Sequence, residues 1–330
     1  NKNIALDGVA PTISSLSFTD EWYREGDTIT VTLTLNEPPL VSGDPGLLLA
    51  GEALRASFVR TLGTAVIFEY DVQSGDDLAS IGWNLANCIG SAELANITDL
   101  AGNPLSLGTT GTGSAGGIDT GIPPAPVIQN PAAGAYNTDQ SLILNTPAAS
   151  GSPETAEYSL DGGLTWNVWT LPVLLADGDY VITARRIDAA GNVSPIATPR
   201  AVEIGKTFPA IIAISCENPD GVYTKDDVLK FKVSFDRPVH TTSAAGRLTF
   251  AGGASTLTAS IQESAADTTA LYFEWTIPAG SEMYPVQISS LDLSGVVDHF
   301  GNTNAAPAIT GLYTARPALA VDSASPQIKI

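Results

Sequence analysis

Side chains alternate between polar and apolar along several stretches of this chain. Thr28–Leu35 reads Thr-Ile-Thr-Val-Thr-Leu-Thr-Leu, and Val228–Phe235 has the same period of two. Because successive side chains of a β-strand point to opposite faces, this period predicts strands with one face in a core and the other in water. Leu54–Leu62 and Ala65–Val72 are separated by two residues and predict a hairpin. No segment carries the 3.6-residue apolar stripe of an amphipathic helix, so the pattern predicts an all-β protein.

The chain also repeats itself. Residues 10–122 align with residues 208–325 through six short segments that match in the same order. One matching segment carries the motif Asp-x-x-Gly-Asn, and the shorter middle part of the chain carries a third copy of it. The three copies are Asp99–Asn103, Asp188–Asn192 and Asp298–Asn302. Internal repeats at this spacing predict tandem modules.

A second pattern, Asp-x-x-x-Pro, marks the joints at Asp7–Pro11, Asp119–Pro123 and Asp322–Pro326. A further joint at Gly205–Pro209 keeps the proline but lacks the aspartate. Together the joints predict three β-sandwich domains in a row. Their predicted bounds are 1–122, 123–206 and 207–330. Strands of five to seven residues rise ~3.3 Å per residue, so each domain would be ~40 Å long and the array ~120 Å. Because the chain begins and ends within a joint, we expect it to belong to a longer tandem array.

Composition narrows the range of partners. The chain has 35 acidic and 15 basic side chains and a net charge of −20, which argues against nucleic acid and anionic membrane surfaces and favours cations. No apolar run approaches the ~20 residues of a membrane span, so we expect no direct membrane insertion. Cys88 and Cys216 fall in different predicted domains, and we expect two small buried thiols rather than a disulfide.

The predicted topology brings acidic residues from separate loops together. In a seven-stranded sandwich the preceding linker and two of the loops share one end. At that leading end of the first domain the linker supplies Asp7, the loop after Thr28–Leu35 supplies Asn36 and Glu37, and the motif supplies Asp99 and Asn103. Further candidates at the joint between the first and second domains are Glu25, Asp27, Asp76, Asp77, Asp119 and Asp188.

Oxygen ligands in such numbers predict a structural calcium ion, which takes 6–8 oxygens. Clustered carboxylates repel one another unless a cation joins them. The alternative is that Asp-x-x-Gly-Asn is a turn without a metal, in which the aspartate accepts backbone N–H groups. Both interpretations stay open on the sequence.

Two tryptophans and two histidines are the remaining candidates. Trp166 and Trp169 flank a tight turn, where exposed rings would stack on a sugar and buried rings would fill the core of the middle domain. His240 and His299 lack the neighbours of a catalytic triad or a zinc site, and we expect them in surface loops. Carboxylate pairs suited to glycoside hydrolysis are expected by chance among 35 acidic residues. The sequence therefore predicts no enzyme.

The chain resembles the immunoglobulin-like repeats of large bacterial surface and secreted proteins. The resemblance rests on Gly26–Leu33, Asn36-Glu37-Pro38, Phe68–Val72 and Asp99–Asn103 in the first domain. In the middle domain it rests on Tyr158–Trp166, Asp177–Tyr180 and Arg186–Asn192. It implies three tandem immunoglobulin-like β-sandwich domains in an extended array, display outside the cell or on a bacterial cell surface, and calcium at the joints. The third domain departs from the pattern, with Asp236-Arg237 in place of Asn36-Glu37, which argues against an ion at the second joint.

The function expected from these features is a non-enzymatic extracellular spacer or stalk segment of an adhesin or biofilm-type surface protein. Calcium at the joints would stiffen it. Its expected partners are neighbouring repeats of the same chain and cell-surface or matrix glycans or proteins, and we expect a monomer. The alternatives are a glycan- or protein-binding module and an accessory region of a secreted polysaccharide-active enzyme.

Overall fold

The computed structural model divides into two compact units. The first comprises residues 1–129, 143–172 and 181–199, and the second comprises 130–142, 173–180 and 200–330. The residues that the structure describes are 7–107, 111–145, 152–251 and 257–324. The proline of the last Asp-x-x-x-Pro joint, Pro326, lies outside them.

The first repeat is built from short strands and two 3₁₀ turns, Ala50–Glu52 and Leu94–Asn96. Its strands are β1 (Ile13–Ser17), β2 (Trp22–Tyr23), β3 (Thr28–Leu35), β4 (Leu40–Val41), β5 (Gly46–Leu49), β6 (Leu54–Leu62), β7 (Ala65–Asp71), β8 (Asp77–Leu78), β9 (Ile81–Asn84), β10 (Ile97–Thr98), β11 (Thr112–Ala115) and β12 (Gly117–Asp119). Antiparallel pairing of β6 with β7 confirms the predicted hairpin.

Two of its sheets enclose a common core. One has the order β1-β3-β7-β6-β5 and the other β2-β12-β8. In β3 the alternation predicted from the sequence is realised, because Ile29, Val31 and Leu33 are fully buried. Tyr23 and Ile118 enter the same core from the second sheet. Each such side chain contributes about 1.5–3 kcal/mol relative to exposure, so the repeat is a β-sandwich held by this apolar layer.

The last repeat has the same order over five strands of its large sheet and adds a sixth strand at the edge. Its strands are β21 (Ile211–Cys216), β22 (Gly221–Tyr223), β23 (Val228–Thr241), β24 (Arg247–Phe250), β25 (Thr258–Ile261), β26 (Thr268–Thr276), β27 (Glu282–Met283), β28 (Ile288–Asp292), β29 (Val296–Asp298) and β30 (Leu319–Asp322). The sheets run β21-β23-β26-β25-β24-β28 and β22-β30-β27. This agrees with the repeat read from the sequence.

His240 was expected in a loop but lies in β23. The pairing of β23 with β26 shifts register between Ser234 and Val239. Pro238 falls in that irregularity, where its missing N–H breaks no ladder bond, and the strand continues beyond it. His299 is exposed, as expected.

The middle of the chain contributes strands to both units. Its strands are β13 (Ile128–Asn130), β14 (Gly134–Tyr136), β15 (Gln140–Leu144), β16 (Glu154–Ser159), β17 (Asn167–Val168), β18 (Val173–Leu175), β19 (Gly178–Asp188) and β20 (Arg200–Ile204). In the first unit β16 pairs with β17 and with the second half of β19. In the second unit β14 pairs with β20 and β15 with β18. A separate domain at 123–206, and with it the count of three, therefore stays a prediction.

Both cysteines are buried and free. Burial raises the pKa of the Cys88 thiol to about 11, so it remains protonated at neutral pH. In the part of the chain that the structure describes, no helix has the length and apolar character needed to cross a bilayer.

Candidate functional site

The first Asp-x-x-Gly-Asn motif forms a closed turn around its aspartate. Asp99 is 1% exposed, and its Oδ1 accepts the backbone N–H groups of Ala101 at 2.8 Å and Asn103 at 2.9 Å. Gly102 has φ of 91°, a left-handed conformation that costs glycine nothing. Each residue type in the motif therefore has a structural role, as in the turn interpretation.

The asparagine of each motif donates to the linker that precedes its repeat. Asn103 Nδ2 lies 3.2 Å from the carbonyl oxygen of Asp7, and Asn192 Nδ2 lies 2.8 Å from that of Asp119. Asn302 Nδ2 lies 2.8 Å from the carbonyl oxygen of Gly205. We call this contact the linker clip. The same amide also donates to the aspartate of its own motif in all three copies.

A second contact recurs beside each linker clip. Asn36 Oδ1 accepts the N–H of Thr12 at 2.7 Å, which fastens the start of the first repeat. Asn145 accepts the N–H of Val127 in the same way. Asp236 accepts the N–H of Ala210, also at 2.7 Å. Asn36, predicted as a cation ligand, therefore uses its oxygen on the backbone.

Hydrogen bonding lowers the pKa of two of these carboxylates, Asp99 and Asp119, although both are buried. Burial by itself raises the pKa of Asp99, but the hydrogen bonds from the side chain and N–H of Asn103 and from the N–H of Ala101 outweigh it and lower the pKa below the ordinary value. At Asp119 burial is again outweighed, by the hydroxyl and N–H of Ser152, and the pKa is lowered. Both groups are negative at neutral pH.

Three of the predicted ligands converge at the leading end of the first repeat. Carboxylate oxygens of Asp7, Glu37 and Asp99 lie within 4.8 Å of one another. Asp7 is exposed, Glu37 half-buried and Asp99 buried, so the group runs from solvent into the turn. We call it the acidic cluster. In the described part of the chain no lysine, arginine or histidine forms an ion pair with any of the three.

An arginine contacts the linker that precedes each of the other two motif copies. Arg186 is 1% exposed, and its Nη2 donates to the side chain of Asn145 at 3.0 Å. Arg237 stands where the first repeat has Glu37, and its Nη2 donates to the carbonyl oxygen of Thr207 at 2.8 Å. An arginine side chain therefore supplies positive charge at each of these two ends. Among the described residues, no basic side chain forms an ion pair with the acidic cluster.

Three further predicted ligands line one cavity in the first unit. Asp77, Asp119 and Asp188 surround a space of about 190 Å³ together with Glu154. The side chain of Glu154 is 5% exposed, and its Oε2 has no hydrogen-bond partner among the described residues, although Arg186 Nε lies 3.6 Å away. The carboxylate of Asp119 accepts hydrogen bonds from Ser152 and Gly121. Asp77 is the exposed carboxylate of the cavity.

The remaining candidates predicted at the joint between the first and second domains, Glu25, Asp27 and Asp76, lie in local turns. Asp27 Oδ2 accepts the N–H of Arg24 at 2.9 Å. Asp76 Oδ2 accepts the hydroxyl of Tyr70 at 2.7 Å and the N–H of Gln73 at 2.8 Å. Glu25 is exposed within the Arg24–Asp27 turn and is not one of the described residues that line the cavity.

Trp166 and Trp169 are both half-buried. The guanidinium of Arg185 lies 4.2 Å from the centroid of the Trp166 ring, which covers one face of the indole. Trp169 Nε1 is buried without a hydrogen-bond partner among the described residues. Arg185 therefore occupies one face of the Trp166 ring, and the indole N–H of Trp169 is not exposed for a hydrogen bond to a ligand.

Glu154 and Arg186 were not among the predicted site residues. The alternation of side chains along Tyr180–Ile187 could have indicated Arg186. Ile182 and Ala184 are inward positions of that strand, and Arg186 is the next inward position. A charged side chain at an inward position requires a partner, which would have marked the residue for attention. Glu154 has no comparable signal.

Comparison with known proteins gives only distant likenesses. No family model and no curated protein matches the chain. The solved structures to which it is similar include a marsupial T cell receptor, with 12% identity, a TM-score of 0.36, and coverage of 86% of this chain and 97% of that one. They also include the Escherichia coli adhesin FdeC, with 9% identity, a TM-score of 0.34, and coverage of 98% and 100%.

A third is the Bacteroides ovatus protein SGBP-B of a mixed-linkage glucan utilization locus, solved in complex with a mixed-linkage heptasaccharide. It has 13% identity, a TM-score of 0.19, and coverage of 81% of this chain and 66% of that one. TM-scores this far below 0.5 do not establish a common fold. The description of the fold therefore rests on the strands, sheets and cores given above.

Proposed function

We propose that this chain is a non-enzymatic spacer segment of an adhesin-type protein that is displayed outside the cell. The observation that carries the proposal is the linker clip, which recurs in all three copies of the motif. A stalk needs every joint to hold its linker against the repeat that follows. One asparagine amide, oriented by the buried aspartate of its own motif, does this at each joint.

A divalent cation, calcium by its preference for oxygen, completes the leading end of the first repeat in this proposal. The acidic cluster supplies three carboxylates, and water completes the 6–8 oxygens that calcium takes. Arg186 and Arg237 supply the positive charge at the other two ends, so the demand for an external cation is greatest here. The cavity of Asp77, Asp119, Asp188 and Glu154 is the second proposed position, at the first joint.

Calcium titration of the chain after treatment with a chelator tests the cation. We expect binding measured by isothermal titration calorimetry, with a rise in unfolding free energy of about 2.7 kcal/mol when free calcium is 100 times Kd. Glu37→Gln removes one carboxylate of the acidic cluster without disturbing the Asp99 turn. This variant is expected to weaken binding at that position at least 10-fold.

Glu263→Gln is the matched control, since it makes the same change of charge at an exposed position of the other unit. It should titrate like the unaltered chain. The cation proposal for the acidic cluster is wrong if calcium does not bind, or if Glu37→Gln and Glu263→Gln give the same isotherm as the unaltered chain.

A further inference from the structure

A cleft in the first repeat lies apart from the linker clips and the acidic residues. It has a volume of about 280 Å³ and lies between the turn Ala50–Glu52 and strand β9. Trp83 and Asn84 of β9, Asn87 after it, and Gly51, Leu48 and Gly113 form its walls. The lining is a near-equal mixture of polar and apolar surface, so it suits a ligand that has both an apolar face and hydrogen-bonding groups.

The indole ring of Trp83 is held in place at the cleft. Trp83 is paired across the ladder with Gly113, and a Cβ atom on Gly113 would overlap the ring. The ring therefore lies against the glycine backbone. Phe18 meets it edge-on, with centroids 5.4 Å apart and an interplanar angle of 71°. An aromatic ring that is half-buried and fixed from two sides is pre-organised for stacking.

Most of the polar atoms beside the ring are free to bind a ligand. Asn84 Oδ1 accepts the N–H of Ala86 at 2.9 Å, which fixes that amide and leaves its Nδ2 available. In the described part of the chain the side chain of Asn87 and Nε1 of Trp83 make no hydrogen bond. Asn84 and Asn87 are exposed, so their amides can donate and accept at the mouth of the cleft.

The opposite wall carries backbone strain. Ala50 has φ of 51°, in the left-handed region that alanine rarely occupies, and Gly51 follows with φ of 65°. Such outliers concentrate at ligand sites, where the surrounding structure maintains them. This observation is independent of the side chains on β9.

The charge of the lining selects the ligand. None of the described residues that line the cleft is charged, although the chain as a whole has a net charge of −20. A neutral ligand suits an uncharged lining and escapes the repulsion that an anion meets at an acidic protein. Amides match hydroxyl groups as both donors and acceptors, and an indole face matches the C–H face of a sugar ring. The volume falls just below the range for drug-sized ligands, which suits one or two rings.

From these observations we infer that the Trp83 cleft binds a neutral carbohydrate, a terminal mono- or disaccharide unit of a glycan. Trp83 provides the stacking surface and Asn84 and Asn87 bind hydroxyl groups. The inference goes beyond the spacer proposal, since a spacer needs no ligand. It also differs from the sequence-based expectation that placed sugar stacking at Trp166 and Trp169.

A glycan array tests the inference with the full chain. The probe is a printed array of neutral hexose and N-acetylhexosamine oligosaccharides, with sialylated and sulfated glycans on the same slide. We expect signal on neutral glycans and none on the acidic ones. Asn87→Ala changes an exposed side chain without a partner, and it should weaken binding of the best neutral glycan at least 10-fold with an unchanged melting temperature.

Asn167→Ala is the control, since Asn167 is an exposed asparagine of β17 outside the cleft. It should bind like the unaltered chain. Trp83→Ala should abolish glycan binding if the variant folds. If Trp83→Ala does not fold, the binding measured with Asn87→Ala is the test of the inference. The inference is overturned if the chain binds no neutral glycan, if Asn87→Ala binds as well as the control, or if Trp166→Ala alone removes binding. Because calcium plays no part in this assay, its outcome is separate from that of the spacer proposal.

Discussion

At the scale of single residues, the asparagine of the Asp-x-x-Gly-Asn motif makes two contacts at once. Its amide donates to the motif's own aspartate and to the carbonyl of the preceding linker. The aspartate gains an oriented donor, and the linker gains a fixed attachment. A buried carboxylate that accepts several N–H bonds stabilises the fold by more than the sum of the separate hydrogen bonds, because the bonds polarise one another.

Replacement of Asn192 by alanine removes both contacts in the middle repeat. We expect Asn192→Ala to lower the free energy of unfolding by about 1–3 kcal/mol, since a buried acceptor is left without its donor. Urea unfolding measures this loss, and limited proteolysis should show earlier cleavage near residues 119–124. Asn167→Ala, at an exposed asparagine, should stay within about 0.5 kcal/mol of the unaltered chain. Equal stability of the two variants would contradict a role for the linker clip.

At the scale of elements, one glycine lets the chain pass from one sheet to another. Strand β11 pairs with β9, and β12 pairs with β2 and β8. Gly116 stands between β11 and β12 with φ of 57°, and its N–H donates to Asp20 at 2.6 Å. A Cβ atom at this position would overlap the backbone oxygen of Glu21, which cannot move as a flexible side chain would.

Gly116→Ala therefore combines a left-handed conformation with a backbone collision. We expect a loss of more than about 2 kcal/mol, since the conformation alone costs about 1–2 kcal/mol for a residue with Cβ. Gly82→Ala is the control in the neighbouring strand, because its Cβ would meet only the carbonyl oxygen of Gly113 at 3.8 Å, an ordinary contact. It should change stability by about 1 kcal/mol at most. Thermal unfolding compares the two, and similar melting temperatures would refute the assignment of Gly116 to the crossing.

At the scale of the whole molecule, the first and last repeats share the order of five strands in their large sheets. They differ at their leading ends, where one presents carboxylates and the other an arginine. In a chain with a net charge of −20, cations bound at acidic positions relieve repulsion between like charges. In the spacer proposal, a cation bound at the first joint therefore makes that joint stiffer.

Small-angle scattering with calcium and then with excess EDTA measures that property. If a cation holds the cavity of Asp77, Asp119, Asp188 and Glu154, chelation is expected to broaden the distribution of interatomic distances and to shorten the average reach. Asp77→Asn removes the exposed carboxylate of the cavity, and it should abolish the response to EDTA. Glu25→Gln, which lies outside the described cavity lining, should retain it. Scattering curves that are identical with calcium and with EDTA would rule out stiffening by a cation.

Much of the site could be anticipated from residue patterns. The three motif copies were recognisable in the sequence, and the topology of a sandwich placed Asp7, Glu37 and Asp99 at one end. The two interpretations of the motif also merge in the structure, since Asp99 accepts the turn N–H groups and still takes part in the acidic cluster. Whether a cation joins that cluster is the part that stays a prediction.

The Trp83 cleft could not be anticipated. Its residues come from β5, β9, β11, a strained turn and the loop after β9, and none of them carries a motif. The same is true of Glu154, whose burial depends on the packing of distant segments around Arg186.

The sequence by itself determined the strands, the hairpin, the repeat and the composition of each turn, because alternation and turn chemistry are local and depend on neighbours a few residues away. Only the tertiary structure decided which carboxylates meet, which asparagine oxygen is already used on the backbone, and where an arginine takes the place of a cation. Those outcomes depend on distances between residues that are far apart in the chain, and such distances are set by packing of the sheets rather than by any local pattern.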